Sequence, residues 1–354
     1  MLKFIPKIIN KFEFRFVFYI LSILLIWKFA LIPFKQFNAF ETIAPLQVFD
    51  QKKDATKFEN FNFVEAGLDL QKFGFYDARK YHFEVNGLVW FKFDPKLVSV
   101  DEIGKFFFDK VVKETRGKPV VQATEDGKTI VLYYVELIFK NNLIFRDFPY
   151  DDHRVFINIL NEDLLNKNIL FVTKDSNFAI ENWRSRLSDF ALVDKGAESA
   201  YYTLKSVNHF LKKDLIYPEA VFYIDIKTEG LGGFFIILFP LLVMFFLSLL
   251  SLCIPVFIHT LSLTLQSLFT LLLYRYVLSY VAPEISEYVF SDICFVTVLS
   301  FLCGIILTNI VCFHYLDSDE IGSSLKEKIA FIRNLAFILF LTAFVVIFYM
   351  FLPK

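Results

Sequence analysis

The sequence predicts a membrane protein in two parts, a β-sandwich domain outside the bilayer and a four-helix transmembrane bundle, preceded by an N-terminal hydrophobic helix. Three observations predict it. The chain is 56% hydrophobic, with 47 Phe among 354 residues, and its mean hydropathy of +0.49 is too high for an ordinary soluble protein. Long uncharged runs gather after residue 231, whereas residues 50 to 230 are mixed and charge-rich. Within that charge-rich part, apolar and polar residues alternate with the period of two that marks half-buried strands. The expected division is 1–40 as signal peptide or signal anchor, 41–230 as an exported domain and 231–354 as the transmembrane domain.

At the N-terminus, "FVFYILSILLIW" follows Lys3, Lys7, Lys11 and Arg15, the charge order of a signal peptide or an uncleaved anchor. The next residues, "KFALIPFKQF", hold no small-x-small cleavage site, which favours the retained anchor. Held in the cytoplasm by that basic flank, the helix exports the charge-rich domain. The expected location is the inner (plasma) membrane, multi-pass, with the large domain in the periplasm or outside.

The exported domain reads as strands. "VEAGLDLQKF" sets Val64, Ala66, Leu68 and Leu70 against Glu65, Gly67, Asp69 and Gln71. Similar runs are "YHFEVNGLVWFKF", "VVQATEDGKTIVLYYVELIF", "RVFINIL" and "AVFYIDI", and Asp126-Gly127 is a hairpin turn signal. Short strands separated by turns indicate an immunoglobulin-like sandwich. "SVDEIGKFFFDKVVKETRG" fits either a short helix or an irregular excursion, and 178–214 fits strands together with long loops.

Four later runs, roughly 233 to 253, 257 to 281, 292 to 313 and 332 to 352, each suffice to cross about 30 Å of hydrocarbon as a helix. Lys326 and Lys328 before the last span and Arg333 at its start lie on the side expected to be cytoplasmic, although Asp317, Asp319 and Glu320 dilute them. Cys253, Cys294, Cys303 and Cys312 all fall in these runs, so the exported domain carries no disulfide. A net charge of −1 gives no reason to expect nucleic acid, whose binding needs concentrated Lys and Arg.

The stretch "FRDFPYDDHRVFINIL", 145 to 160, places Asp151, Asp152 and His153 side by side. Neighbours in a strand point to opposite faces, and no Cys and no second His lies within ten residues. A structural corner set by Pro149 is the better reading than a metal site.

An exported sandwich, the corner "Phe148-Pro149-Tyr150-Asp151" and four helices resemble the pentameric ligand-gated ion channels, in particular the bacterial members that lack the cysteine pair around this corner. The resemblance covers roughly residues 60 to 352. "FYDARKYHFEVNGLVWFKFDP" looks like the family's first strand-turn-strand, "FFIILFPLLVMFFLSLL" like its first span with an internal Pro240, and "APEISEYVFSD" like its connection between the second and third spans. The sequence departs from the family pattern in having no Trp-x-Pro after Pro95, Lys227 where Arg is usual, and Tyr288 one position away.

The resemblance implies a homopentamer in the lipid bilayer, opened by an extracellular ligand and passing an inorganic ion. With Pro283 taken as the family's proline, the axis-facing positions of the second span become Ser262, Gln266, Phe269, Leu273, Tyr276 and Tyr280, at alternating steps of four and three. These would form a polar ring below a hydrophobic constriction able to close by dewetting, the alternative being that Ser262 and Gln266 bond neighbouring helices. Arg275 lies off that stripe, and Asp292 is its expected partner, the alternative being that it snorkels to the outer interface. Glu284 and Glu287 tilt the expected selectivity toward cations, although no carboxylate flanks the other end at Ile258 and His259. The family's coupling region falls on Asp77, Phe148, Pro149, Tyr150, Asp151 and Lys227. No catalytic residue, metal ligand or cofactor is implied, since no nucleophile triad, phosphate loop or metal cluster stands out. The competing expectation is a non-conducting membrane sensor or scaffold in which Phe269 and the tyrosines seal the axis.

Overall fold

A computed structural model of the chain describes residues 12–33, 37–42, 47–49, 54, 58–77, 82–181, 190–204, 215–228, 232–254, 256–281, 289–316 and 323–352. Two compact units emerge, one from Phe37–Ile144 with Asp152–Glu229, the other from Met1–Gln36, Phe145–Asp151 and Gly230–Lys354. The corner loop thus belongs with the helices although its flanking strands do not, and the helix Phe12–Ala30 falls in the helical unit.

The first unit is rich in β-sheet. One sheet has the order β1 (Gln47–Val48), β11 (Phe190–Leu204), β12 (Leu215–Thr228), β8 (His153–Leu160) and β4 (Phe107–Phe108). The other runs β10 (Phe178–Ile180), β2 (Asn62–Asp77), β3 (His82–Phe93), β7 (Thr129–Lys140) and β5 (Val111–Arg116), with β6 (Val120–Ala123) on β7 and β9 (Ile169–Val172) on β2. Residues of both sheets share one core, including Phe83, Phe91 and Val135 from one and Ile157, Phe222 and Ile224 from the other.

Side-chain parity accounts for that core. Val64, Ala66, Leu68 and Leu70 are buried as the alternation requires. A bulge between Leu70 and Lys72 then reverses the parity, so that Phe73, an odd position, is buried as well. Gly127 turns the β6–β7 hairpin at φ +77°, a left-handed conformation that glycine takes without a Cβ clash. The ambiguous stretch after Ser99 is a helical turn, Val100–Ile103, closed by a capping box between Ser99 and Glu102, and leads into β4 and β5.

Among the described residues of the second unit, four helices are long and apolar enough to cross a membrane: Phe234–Cys253, Phe257–Ser279, Phe290–Tyr315 and Lys326–Phe351. We label the helices α1 (Phe12–Ala30), α2 (Phe239–Leu250, entered through a π-helical turn at Phe234–Leu238), α3 (Phe257–Val281), α4 (Phe290–Leu316) and α5 (Ser323–Phe351). Pro240 cannot donate to the carbonyl of Ile236. Tyr274 of α3 takes over, its hydroxyl donating to Ile236 O at 2.5 Å and Ile237 O at 2.8 Å. Phe245, Phe301 and Phe344 form the aromatic centre, Phe245 stacking on Phe344 at 3.9 Å between centroids. The N-terminal helix packs on this bundle, with Tyr19 edge-on to Phe246 and Trp27 edge-on to Phe234, each at 5.2 Å.

The segment between α1 and β1 is anchored in the β-rich unit by Glu41. Its carboxylate meets His153 Nδ1 at 2.8 Å and accepts from the amides of Ile144 at 3.0 Å and Arg154 at 3.1 Å. Burial alone would raise Glu41, but the bond and charge of His153 and the two amides outweigh it and hold the carboxyl below its ordinary value. Removing one member of such a buried pair costs about 3 kcal/mol, so Glu41→Gln should lower the thermal unfolding temperature at pH 7. Because the folded value lies below the unfolded one, this stabilisation is complete above the ordinary carboxylate range and is lost as pH falls through the folded value. The gap between parent and variant should therefore close in acid.

Candidate functional site

Two stripes run along α3. One comprises Thr260, Thr264, Ser267, Leu271, Tyr274 and Leu278, all buried except the half-buried Tyr274. Its hydroxyls are satisfied within the helix, Thr260 donating to Val256 O at 2.9 Å, Thr264 to Thr260 O at 3.1 Å and Ser267 to Leu263 O at 2.9 Å. The second stripe is the one expected to face an axis. It repeats the same steps two residues later, which places it about 200° around the helix. Ser262 and Gln266 are exposed, and Phe269, Leu273 and Tyr276 are 63%, 72% and 65% exposed. Tyr280 lies in α3, and its side chain falls outside the described residues. Gln266 Nε2 donates to Ser262 Oγ at 3.4 Å. The hydroxyl and amide thus lie together near one end of the stripe, with the phenyl, leucyl and phenol groups beyond.

The expected ion pair is present, Arg275 Nη1 bonding Asp292 Oδ1 at the start of α4. The guanidinium also lies 5.5 Å from the Phe295 ring centroid. A helix begins with amides that lack intrahelical acceptors, and here the corner loop supplies two: Phe290 N donates to Arg146 O at 3.1 Å and Ser291 N to Phe148 O at 3.2 Å. Tyr150 is buried among the helices with its ring 5.9 Å from that of Phe290. Pro149, whose peptide with Phe148 is cis, sits so close to Gly233 that a Cβ there would meet Pro149 Cβ at 2.9 Å. Glycine is required at that approach.

The acidic corner is structural. Asp151 Oδ1 accepts from Asp147 N at 2.7 Å, and Asp152 accepts from Asn38 N at 2.9 Å and Thr228 N at 3.3 Å. Burial raises the Asp152 carboxyl, opposed by these bonds and by the charge of Lys227. Of the coupling residues, Asp77 ends β2 opposite His82, its side chain outside the described residues. "PEISEY", with Pro283, Glu284, Glu287 and Tyr288, also lies outside the described residues, as do Asp317, Asp319 and Glu320. No group of three or more His, Cys, Asp or Glu suited to a metal occurs among the described residues.

Sequence reasoning did not reach Glu41, Tyr274, Arg154 or Glu219. Arg154 holds Asp225 through two bonds at 2.6 and 2.7 Å while lying 4.5 Å from the Tyr223 ring centroid. That pair follows from β8–β12 register and leaves no local signal. Glu219, buried on β12, accepts from Asn158 Nδ2 at 2.9 Å. Burial and the nearby Asp109 push its carboxyl up to about 7 against that bond.

No family model matches the chain, and no curated protein matches it.

The raised Glu219 makes a testable case of pH linkage. Its ionised form is disfavoured in the fold, so stability falls as pH rises from the ordinary carboxylate range to about 7. Glu219→Gln keeps the bond from Asn158 without titrating. At pH 8 it should be more stable than the parent by about 3 kcal/mol, since each tenfold difference in proton affinity between folded and unfolded chains is worth about 1.4 kcal/mol. Near pH 4 the advantage should vanish, read by thermal unfolding at both values.

Proposed function

We propose that the chain is the subunit of a homopentameric ligand-gated ion channel, with an immunoglobulin-like β-sandwich outside the inner (plasma) membrane and a pore lined by α3. One observation carries this reading. The least apolar of the four spans is also the least covered by its own chain, and the stripe it leaves uncovered begins with Ser262 and Gln266. Lipid provides no partner for a hydroxyl or an amide, whereas a ring of like helices around a water-filled axis does. In such a ring Phe269 and Leu273 form a dry neck where an ion loses hydration that nothing replaces.

The route from ligand to gate follows contacts already in the helical unit. The loop 145–151 continues directly from β7 and into β8, and its carbonyls cap the first turn of α4. Asp292 in that turn holds Arg275 of α3. Displacement of Phe148, Pro149 and Tyr150 is therefore passed to α3 through one capped helix end and one ion pair. Asp151 holds the loop through its bond from Asp147 N, and Asp77 and Lys227 keep only the coupling roles that the resemblance implies. The bulk of Phe269, Leu273 and Tyr276 favours a second reading, a non-conducting sensor whose axis stays sealed.

Native mass measurement of the intact chain in mild detergent should give five copies; a monomer or dimer would defeat the proposal. At matched surface expression, Phe269→Ser should raise basal current over the parent, and Phe269→Ala should raise it less because the neck widens but stays apolar. Current from Leu273→Ser with Phe269→Ser silent would place the constriction one turn further out. Silence of both under any applied ligand or pH step would establish the sensor reading instead.

A further inference from the structure

Two guanidinium groups meet at the turn that ends α2. Arg15 of α1 places Nη1 3.6 Å from Cys253 Sγ and bonds the amide oxygen of Asn334. Arg333 of α5 donates from Nη2 to the carbonyls of Ser251 at 3.4 Å, Leu252 at 2.9 Å and Ile254. The Nε of each is buried without an acceptor. Neither guanidinium has a carboxylate partner among the described residues. Arg333 is buried and Arg15 is half-exposed. Carbonyl dipoles offset part of this charge, yet two cations beside a membrane-spanning bundle still require a counter-charge.

An apolar groove of about 230 Å³ opens one helical turn from Arg15, between α1 and α2. Tyr19, Ile23 and Trp27 form one wall and Val243, Phe246 and Leu247 the other. From Tyr19 to Trp27 the helix rises roughly 12 Å at 1.5 Å per residue, close to the ~15 Å of hydrocarbon in one leaflet. A pair of cations at the end of an apolar channel of that length matches a molecule with a phosphate at one end and an alkyl chain at the other.

We propose that this site binds an anionic phospholipid from the leaflet at whose surface α1 begins. Its phosphodiester rests on Arg15 with Arg333 as the deeper charge, and one acyl chain runs along the groove from Tyr19 toward Trp27. The net charge of the two arginines selects an anionic headgroup over a zwitterionic one. The site is independent of whether α3 lines a pore.

The test uses the full chain in nanodiscs of equal palmitoyl-oleoyl phosphatidylglycerol and phosphatidylcholine, with retained lipid counted by native mass spectrometry. The parent should retain phosphatidylglycerol in preference. Arg15→Gln should lower the ratio of the two lipids about five-fold, the factor one basic residue contributes near a charged surface. Ile23→Trp, which fills the groove, should reduce retention of both lipids, and Val243→Trp should do so from the opposite wall if Ile23→Trp disturbs helix packing. An unchanged ratio in Arg15→Gln, or undiminished lipid in both groove variants, would overturn the proposal. Displacement of the lipid by glycerophosphoglycerol, a headgroup without chains, as readily as by phosphatidylglycerol would also overturn it, since the groove would then hold nothing.

Discussion

The constraint on which the helical unit depends is that a polar group surrounded by hydrocarbon must find its partner within the protein, because lipid offers none. Its consequences are visible at each interruption of the helices. Pro240 lacks a donor, a π-helical turn forms beside it, and Tyr274 of the neighbouring helix supplies a hydroxyl to the carbonyls of Ile236 and Ile237. Where α2 ends, Arg333 gathers the carbonyls of the last turn and Asn309 donates to Ser251 Oγ at 3.0 Å. On α3 the buried hydroxyls turn back to their own backbone. Ser262 and Gln266 of α3, bonded to each other, instead stand on an exposed face, which is why that surface is the one proposed to line water.

The β-rich unit meets the same requirement with different means. Two buried carboxylates illustrate it, because burial pushes both upward and their surroundings then diverge. Glu41 has an imidazole and two amides and ends below its ordinary value, while Glu219 has a single amide from Asn158 and the opposing charge of Asp109 and ends near neutrality. The first ties the segment after α1 to the strands, a contact between positions 112 residues apart in sequence. The second is a carboxyl held at a cost in free energy.

The corner between β7 and β8 joins these two chemistries. Its three consecutive polar residues have separate partners: Asp151 bonds within its own loop, Asp152 takes amides from Asn38 and Thr228, and His153 takes Glu41. A cluster that looks like a site in sequence thus bonds three different sets of partners. The consequential atoms are carbonyls of Arg146 and Phe148, which close the start of α4, and a backbone carbonyl carries no residue signature.

By itself, the sequence determined the long apolar helices, the alternation that buries Val64, Ala66, Leu68 and Leu70, and the turn at Asp126-Gly127. Each depends on a local period or a single residue's backbone preference, and a local window contains both. It also indicated Asp292 for Arg275, since a charge inside a span narrows the choice of partner to the few acids nearby. Only the tertiary structure decided that the corner loop belongs with the helices, that α1 packs on α2 and α5, that Glu41 meets His153, and that Tyr274 serves the carbonyl freed by Pro240. Those contacts join residues distant in sequence, and their geometry follows from how whole elements pack, a property no local pattern encodes.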